Sequence, residues 1–192
     1  AHFLFGLFAH HDRARFPIIC YANVRSPDAT PERLRAMVEG WRPIFGVPDE
    51  QVARQIAEDR IDVLIDLAGH TAHHRLRVFA FHPAALQVTW LGYPSTTGGR
   101  RITHRLTDAL ADPPGGKGSD DVGEEFTEAL ARLPRTAWCW RPPEEVGGLA
   151  AVERRGGRPF TFGSFNASSK FSPETLGRWA RILAATPGTR LV

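Results

Sequence analysis

Cysteine, lysine, charge of one sign and long apolar runs are all scarce in this 192-residue chain, and each scarcity narrows what it can be. The two cysteines, Cys20 and Cys139, lie far apart in apolar stretches. That excludes a disulfide framework and suits buried thiols in a reducing, cytoplasmic compartment. No stretch approaches the roughly 20 apolar residues of a membrane span, so no membrane partner is expected. The opening AHFLFGLFAHHD lacks the basic start and small-residue cleavage site of a secretory signal. Charge is balanced, with 24 Lys plus Arg against 21 Asp plus Glu. The cations are scattered, without a basic run or an RNA-binding aromatic motif, so no nucleic-acid partner is implied despite a pI near 9.3. Among those 24 cations only Lys117 and Lys170 are lysines. A compact ammonium in an arginine-rich chain singles out Lys170, because it acts on phosphate as a point charge where arginine acts as a planar fork. An initiating methionine is also missing: Phe3, Leu4, Leu7 and Phe8 already follow a helical pattern, and the chain stops at GTRLV as an apolar run begins. The expectation is a piece of a longer protein.

What is present is an alternation of strand and helix. Hydrophobic residues make up 42% of the chain, enough for a packed core. The runs FPIICYAN, IDVLIDLAG and LQVTWLGYP read as short strands, and TPERLRAMVEGW, DEQVARQIAED and HHRLRVFAF read as the helices between them. Strands apolar throughout, joined by helices, predict an α/β fold with a parallel sheet covered on both faces. Thr30 before Pro31 and Asp49 after Pro48 mark helix starts. Two Gly-, Pro- and charge-rich stretches, GGKGSDDVGEEF and RPPEEVGGLAAVERRGGRP, interrupt the pattern, and the second is the better domain boundary. Beyond it FTFGSFNASSKFSPETLGRWARIL predicts a strand, a polar turn and a helix capped by Ser172 with Pro173 in its first turn. Leu176, Trp179, Ala180 and Leu183 fall on one face of that helix.

Ligands of open α/β sheets bind beyond the carboxyl ends of the strands, which selects the loops GHTAHH, GYPSTTGG and NASSK. The last leads into a helix whose free N–H groups favour an anion, with Lys170 beside them, although the Walker pattern is absent. His70 and His74 have helical spacing for a metal, but no acidic residue or cysteine completes a set, so no metal is assigned. His70 reads equally as a donor to a phosphate or sugar hydroxyl and as a cap or packing residue; His10, His11, His73 and His74 read as surface residues. The glycines of GYPSTTGG give a tight path, and Ser95, Thr96 and Thr97 offer hydroxyls to a polar ligand. Trp90 and Trp179 read as core.

Taken together, IDVLIDLAGHTAHHRLRVFAFHPAALQVTWLGYPSTTGG, LTDALADPP and FGSFNASSKFSPETLGRWARILAATPGTRL resemble the O-linked N-acetylglucosamine transferase family, glycosyltransferase family 41, in its bacterial SPINDLY-like form with tetratricopeptide repeats. The resemblance implies a GT-B architecture of two Rossmann-like halves. Residues 1–145 would be most of the N-terminal half, 146–156 a linker, and 157–192 the first strand and helix of the C-terminal, nucleotide-binding half. It also implies an inverting, metal-independent transfer of N-acetylglucosamine from UDP-N-acetylglucosamine to Ser or Thr of acceptor proteins, with no cofactor, the UDP-sugar being a co-substrate. Lys170 matches the family lysine at the donor diphosphate, with Asn166 and Ala167 beside the nucleotide. His70 is the second residue given a catalytic role, and Thr71, Gly92, Tyr93, Pro94, Thr96 and Thr97 shape the sugar and acceptor side.

The chain departs from the family at four points. Ala167 stands where an amide is usual, Ser95 replaces the second glycine of G-Y-P-G-T, and Ala85 replaces a proline. The histidine proposed as the family's base would fall before Ala1, His2 aligning with its partner. These departures leave two rivals: an asparagine glucosyltransferase of the same family, and a non-catalytic protein-interaction module. The chain by itself is expected to be inactive.

Overall fold

The computed structural model describes residues 2–25, 29–114, 126–142 and 159–192. The first Gly-rich stretch, Lys117 and the 146–156 linker therefore lie outside the described residues. Contacts divide the chain into two units, Ala1–Glu145 and Val146–Val192. Among the described residues no helix is long and apolar enough to cross a membrane.

In the first unit, helix α1 (His2–His10) is followed by strand β1 (Ile19–Ala22), helix α2 (Ala29–Arg35), strand β2 (Gly40–Pro43) and helix α3 (Asp49–Glu58). Strand β3 (Val63–Asp66), helix α4 (Leu76–Ala80) and strands β4 (Leu86–Thr89), β5 (His104–Asp108) and β6 (Ala129–Leu133) complete it. Strands β3-β4-β5-β6 form a parallel sheet in that order, and β1 and β2 form a parallel pair. The alternation predicted by the sequence is present, with one element misread. The helical pattern from Thr30 ends at Arg35, and Gly40 and Trp41 belong to β2 rather than to the helix. Thr30 correspondingly lies inside α2, which begins at Ala29, so it is not the cap.

The core forms where α3 and α4 lie on one face of β3. Val52, Ala53 and Ile56 from α3 meet Val78 and Phe79 from α4, with Ile44, Leu64, Ala84 and Ile102 closing the cluster. The i, i+1, i+4 spacing of Val52, Ala53 and Ile56 puts all three on one face of α3. Arg75 locks the loop below by an ion pair to Asp49 at 2.8 Å and by donating to the carbonyls of Ile44 and Val47. The sheet is not covered on both faces throughout. Leu64 and Asp66 are buried, while the alternate residues Val63, Ile65 and Leu67 are exposed at 46%, 44% and 41%. Neither cysteine is fully buried; both are free, and burial pushes the Cys20 thiol up to about 11.

In the second unit, parallel strands β7 (Thr161–Phe162) and β8 (Arg190–Leu191) flank helix α5 (Pro173–Ala185). Ser172 caps α5, accepting from the Thr175 N–H at 3.2 Å, with Pro173 at the first helical position. Phe171 and Trp179 pack edge to face at 5.0 Å. No residue of α5 is fully buried, so its apolar stripe is only half covered: Trp179 and Leu183 are partly buried, while Leu176 is 50% exposed.

Candidate functional site

Two loops meet beyond the carboxyl ends of β3 and β4. Asp66, the last residue of β3, is buried, and its carboxylate accepts from the N–H groups of Ala68 at 3.2 Å and Gly69 at 2.8 Å and from the Thr89 hydroxyl at 2.8 Å. A buried charge so satisfied folds the chain sharply after the strand. Gly69 then takes φ +52°, and a Cβ there would lie 2.2 Å from Tyr93 Cβ. Gly92 makes the reciprocal approach: its Cβ would lie 2.3 Å from the Leu67 carbonyl oxygen. Leu91, between β4 and Gly92, sits at φ +71°, a strained conformation for a bulky residue.

This contact brings His70, Tyr93 and Thr97 together. His70 is exposed, its Nε2 lies 2.9 Å from the Thr97 carbonyl oxygen, and its ring meets Tyr93 edge-on at 5.2 Å and His74 at 5.8 Å. The cap reading of His70 fails, because α4 starts at Leu76 after Arg75 and His70 is engaged with Thr97 instead. Thr71 is exposed and donates its hydroxyl to the Ala68 carbonyl at 2.8 Å. His10, His73 and His74 are exposed and His11 is half-buried.

The GYPSTTGG loop is held from below. The Pro94 carbonyl accepts from Arg105 at 3.1 Å, and buried Arg105 pairs with Asp112 at 3.1 Å and lies over the Phe126 ring. Thr96 donates its hydroxyl to Glu128 Oε2 at 2.7 Å, while the Thr97 N–H donates to Glu128 Oε1 at 2.8 Å and the Thr97 hydroxyl donates to the same oxygen. Both threonine hydroxyls thus donate to Glu128, which fixes the shape of the loop; Thr97 is buried, Thr96 half-buried and Ser95 exposed. Burial pushes the Glu128 carboxyl up, but the Thr97 and Thr96 hydroxyls and the Thr97 N–H outweigh it and hold the group below the ordinary glutamate range. Trp90 is core, as expected, donating Nε1–H to the Ala137 carbonyl at 2.8 Å.

The remaining sequence-selected residues belong to the second unit. A 3-10 turn, Ser168–Lys170, ends in Lys170, whose N–H donates to the Ala167 carbonyl at 2.9 Å. Asn166, Ala167 and Lys170 are all exposed just before the capped start of α5. Among the described residues no three His, Cys, Asp or Glu side chains gather in a metal-holding group.

Sequence reading missed Asp66, Glu128 and Leu91. An aspartate ending an apolar strand three residues before a glycine is a turn signal that could have found Asp66. Nothing local marks Glu128, whose partner Thr97 is 31 residues away.

A family model described as Glycosyl transferase family 41 matches residues 1–140. The chain is 40% identical, over its whole length, to the probable UDP-N-acetylglucosamine-peptide N-acetylglucosaminyltransferase SPINDLY of Solanum lycopersicum, of which it covers 20%. The Arabidopsis thaliana protein of the same name is 39% identical, again over the whole chain and 21% of the relative. A UDP-N-acetylglucosamine-peptide N-acetylglucosaminyltransferase of Caenorhabditis elegans is 35% identical over 71% of this chain and 12% of its own. A solved mutant of the Thermobaculum terrenum O-GlcNAc transferase superposes with a TM-score of 0.87 at 38% identity, over 98% of this chain and 34% of that one. The chain thus spans about a fifth of the length of the curated SPINDLY relatives. Its parallel sheets and flanking helices are the Rossmann-like α/β arrangement of a GT-B-type glycosyltransferase. With the family model matched over most of its residues, the chain belongs to glycosyl transferase family 41.

Proposed function

We propose that this chain is part of a cytoplasmic protein O-glycosyltransferase that moves N-acetylglucosamine from UDP-N-acetylglucosamine to Ser or Thr hydroxyls of acceptor proteins, with inversion and without a metal. The observation that carries this reading is the meeting of the two family-matching loops around His70, Tyr93 and Thr97, beyond the carboxyl ends of β3 and β4. The resemblance to transferases of that name over the whole chain supports the donor and the acceptor class. In the reaction the acceptor oxygen forms a bond to the sugar C1, the bond from C1 to the diphosphate oxygen breaks, the hydroxyl proton passes to a general base, and UDP departs. Lys170 offsets the charge that grows on the departing diphosphate. His70, Thr71 and residues 92–97 shape the sugar and acceptor side. Residues 1–145 serve as most of the N-terminal catalytic half, and 157–192 as the start of the nucleotide-binding half.

The test is sugar transfer by the complete protein. Lys170→Ala lowers turnover by about a hundredfold, or about 3 kcal/mol on the barrier, with little effect on acceptor binding. Lys170→Arg is also impaired, because a fork replaces a compact ammonium. An unchanged rate in Lys170→Ala removes the lysine from the mechanism. UDP-glucose as competing donor separates the glucosyltransferase rival. The same assay in excess EDTA, with elemental analysis for any metal out of the chelator's reach, tests metal independence.

A further inference from the structure

His70 and Glu128 are joined by one backbone segment. The Thr97 carbonyl can only accept, so the 2.9 Å contact requires a proton on His70 Nε2. A neutral ring then keeps its lone pair on Nδ1, which has no partner among the described residues. The Thr97 peptide is itself fixed. Its N–H and hydroxyl both donate to Glu128 Oε1, Thr96 donates to Oε2, and Thr97 and Glu128 are only 6% and 2% exposed. Gly98 at φ +67° lets the chain turn directly after Thr97, and the N–H groups of Gly98 and Gly99 return to the Thr96 and Thr97 hydroxyls at 3.1 Å and 3.2 Å. Tyr93 packs against the imidazole ring at 5.2 Å.

We infer that Glu128 is a positioning residue: through the Thr97 backbone it fixes His70 as the Nε2–H tautomer and leaves the Nδ1 lone pair as an acceptor for a hydroxyl of the bound sugar. The sugar part rests on the function proposed above, whereas the relay from Glu128 to His70 rests on geometry alone. A free imidazole exchanges between tautomers and loses its ring protons rapidly to water. One whose Nε2–H is bonded to a fixed carbonyl does both more slowly.

Long-range nitrogen–proton correlation on the imidazoles of the 15N-labelled 192-residue chain reads this directly. In the native chain His70 shows a protonated Nε2 with a retained proton signal and an unprotonated Nδ1. Glu128→Ala loses that signal and gives averaged ring nitrogens, while Glu128→Gln, which keeps an acceptor for Thr97, retains the native pattern. Thr97→Val removes the hydroxyl that donates to Glu128 and accepts from the Gly99 N–H, and it weakens the signal in a chain whose backbone spectrum changes only around residues 97–99, so the relay is readable even where Glu128→Ala unfolds. In the complete protein Glu128→Ala lowers kcat/KM for UDP-N-acetylglucosamine at least tenfold, and Glu128→Gln stays within threefold of the native value. A proton on Nδ1, or an Nε2–H signal unchanged in both Glu128→Ala and Thr97→Val, overturns the inference. A complete protein that transfers no sugar defeats the proposed function, and the imidazole signals still decide the relay.

Discussion

Asp108 ends β5 with its carboxylate among three backbone donors: the N–H groups of Ala137 at 2.7 Å, Ala111 at 2.8 Å and Leu110 at 2.9 Å. These bonds, that from Ala137 first, hold the group below the ordinary aspartate range against the opposing effect of burial. A native value below the unfolded one, about 3.9, means that the stabilisation is fully present above that pH and is lost as pH falls through the native value. The expected outcome is a stability that declines steeply below about pH 4, with Asp108→Asn less stable at pH 7 and less sensitive to acid. Urea midpoints measured between pH 7 and pH 3 check it, and parallel curves for the two proteins exclude Asp108 as a source. The part of the site legible in the sequence was of another kind. His70, Tyr93 and the glycines stood in loops after apolar strands, where a general rule places ligands. Of the two carboxylates that hold those loops, Asp66 carried a local turn signal that went unread, whereas Glu128 carried none because its partner Thr97 is 31 residues away. Nor were the bonds from Thr96 and Thr97 to Glu128 legible, because a hydroxyl in a turn looks alike whether it faces water or a buried carboxylate.

Among the elements, α5 was the most legible and α2 the least. Ser172, Pro173 and the 3.6-residue spacing are local signals, and the cap formed as they predict. In α2 the same period ran on past Arg35 in the sequence, and what ends the helix is tertiary: Gly40–Pro43 pairs with Ile19–Ala22, and a Cβ at Gly40 would lie 3.1 Å from the Ile19 side chain. β3 gives a third case, since an all-apolar strand carried no information on which face stays open. Because α5 buries none of its residues fully, its capping bond carries a larger share of its stability than a cap would in a core helix. Ser172→Ala is expected to weaken α5 by about 1 kcal/mol. Amide exchange at Thr175 and Leu176 reads it, with roughly fivefold faster exchange expected from that energy. Unchanged exchange at both amides shows that the Ser172 bond does not hold the helix start.

At the scale of the whole molecule, contacts divide the chain between Glu145 and Val146, and the described residues of the second unit offer two short strands, a 3-10 turn and one α-helix. Its cation at the candidate diphosphate side is Lys170, an exposed residue. One exposed charge contact is worth roughly 1 kcal/mol, whereas even millimolar affinity requires about 4 kcal/mol. The 192-residue chain is therefore expected to bind UDP more weakly than about 1 mM, although a complete enzyme of the proposed function binds it. The matched solved transferase is about three times as long, this chain covering 34% of it, which leaves room for the missing contacts in the rest of such a protein. Calorimetric titration of the chain with UDP is the direct measurement, and Lys170→Ala serves as the control for binding through the lysine alone. A dissociation constant in the low micromolar range places the nucleotide site within these 192 residues and overturns the assignment of residues 157–192 as only the start of the nucleotide-binding half.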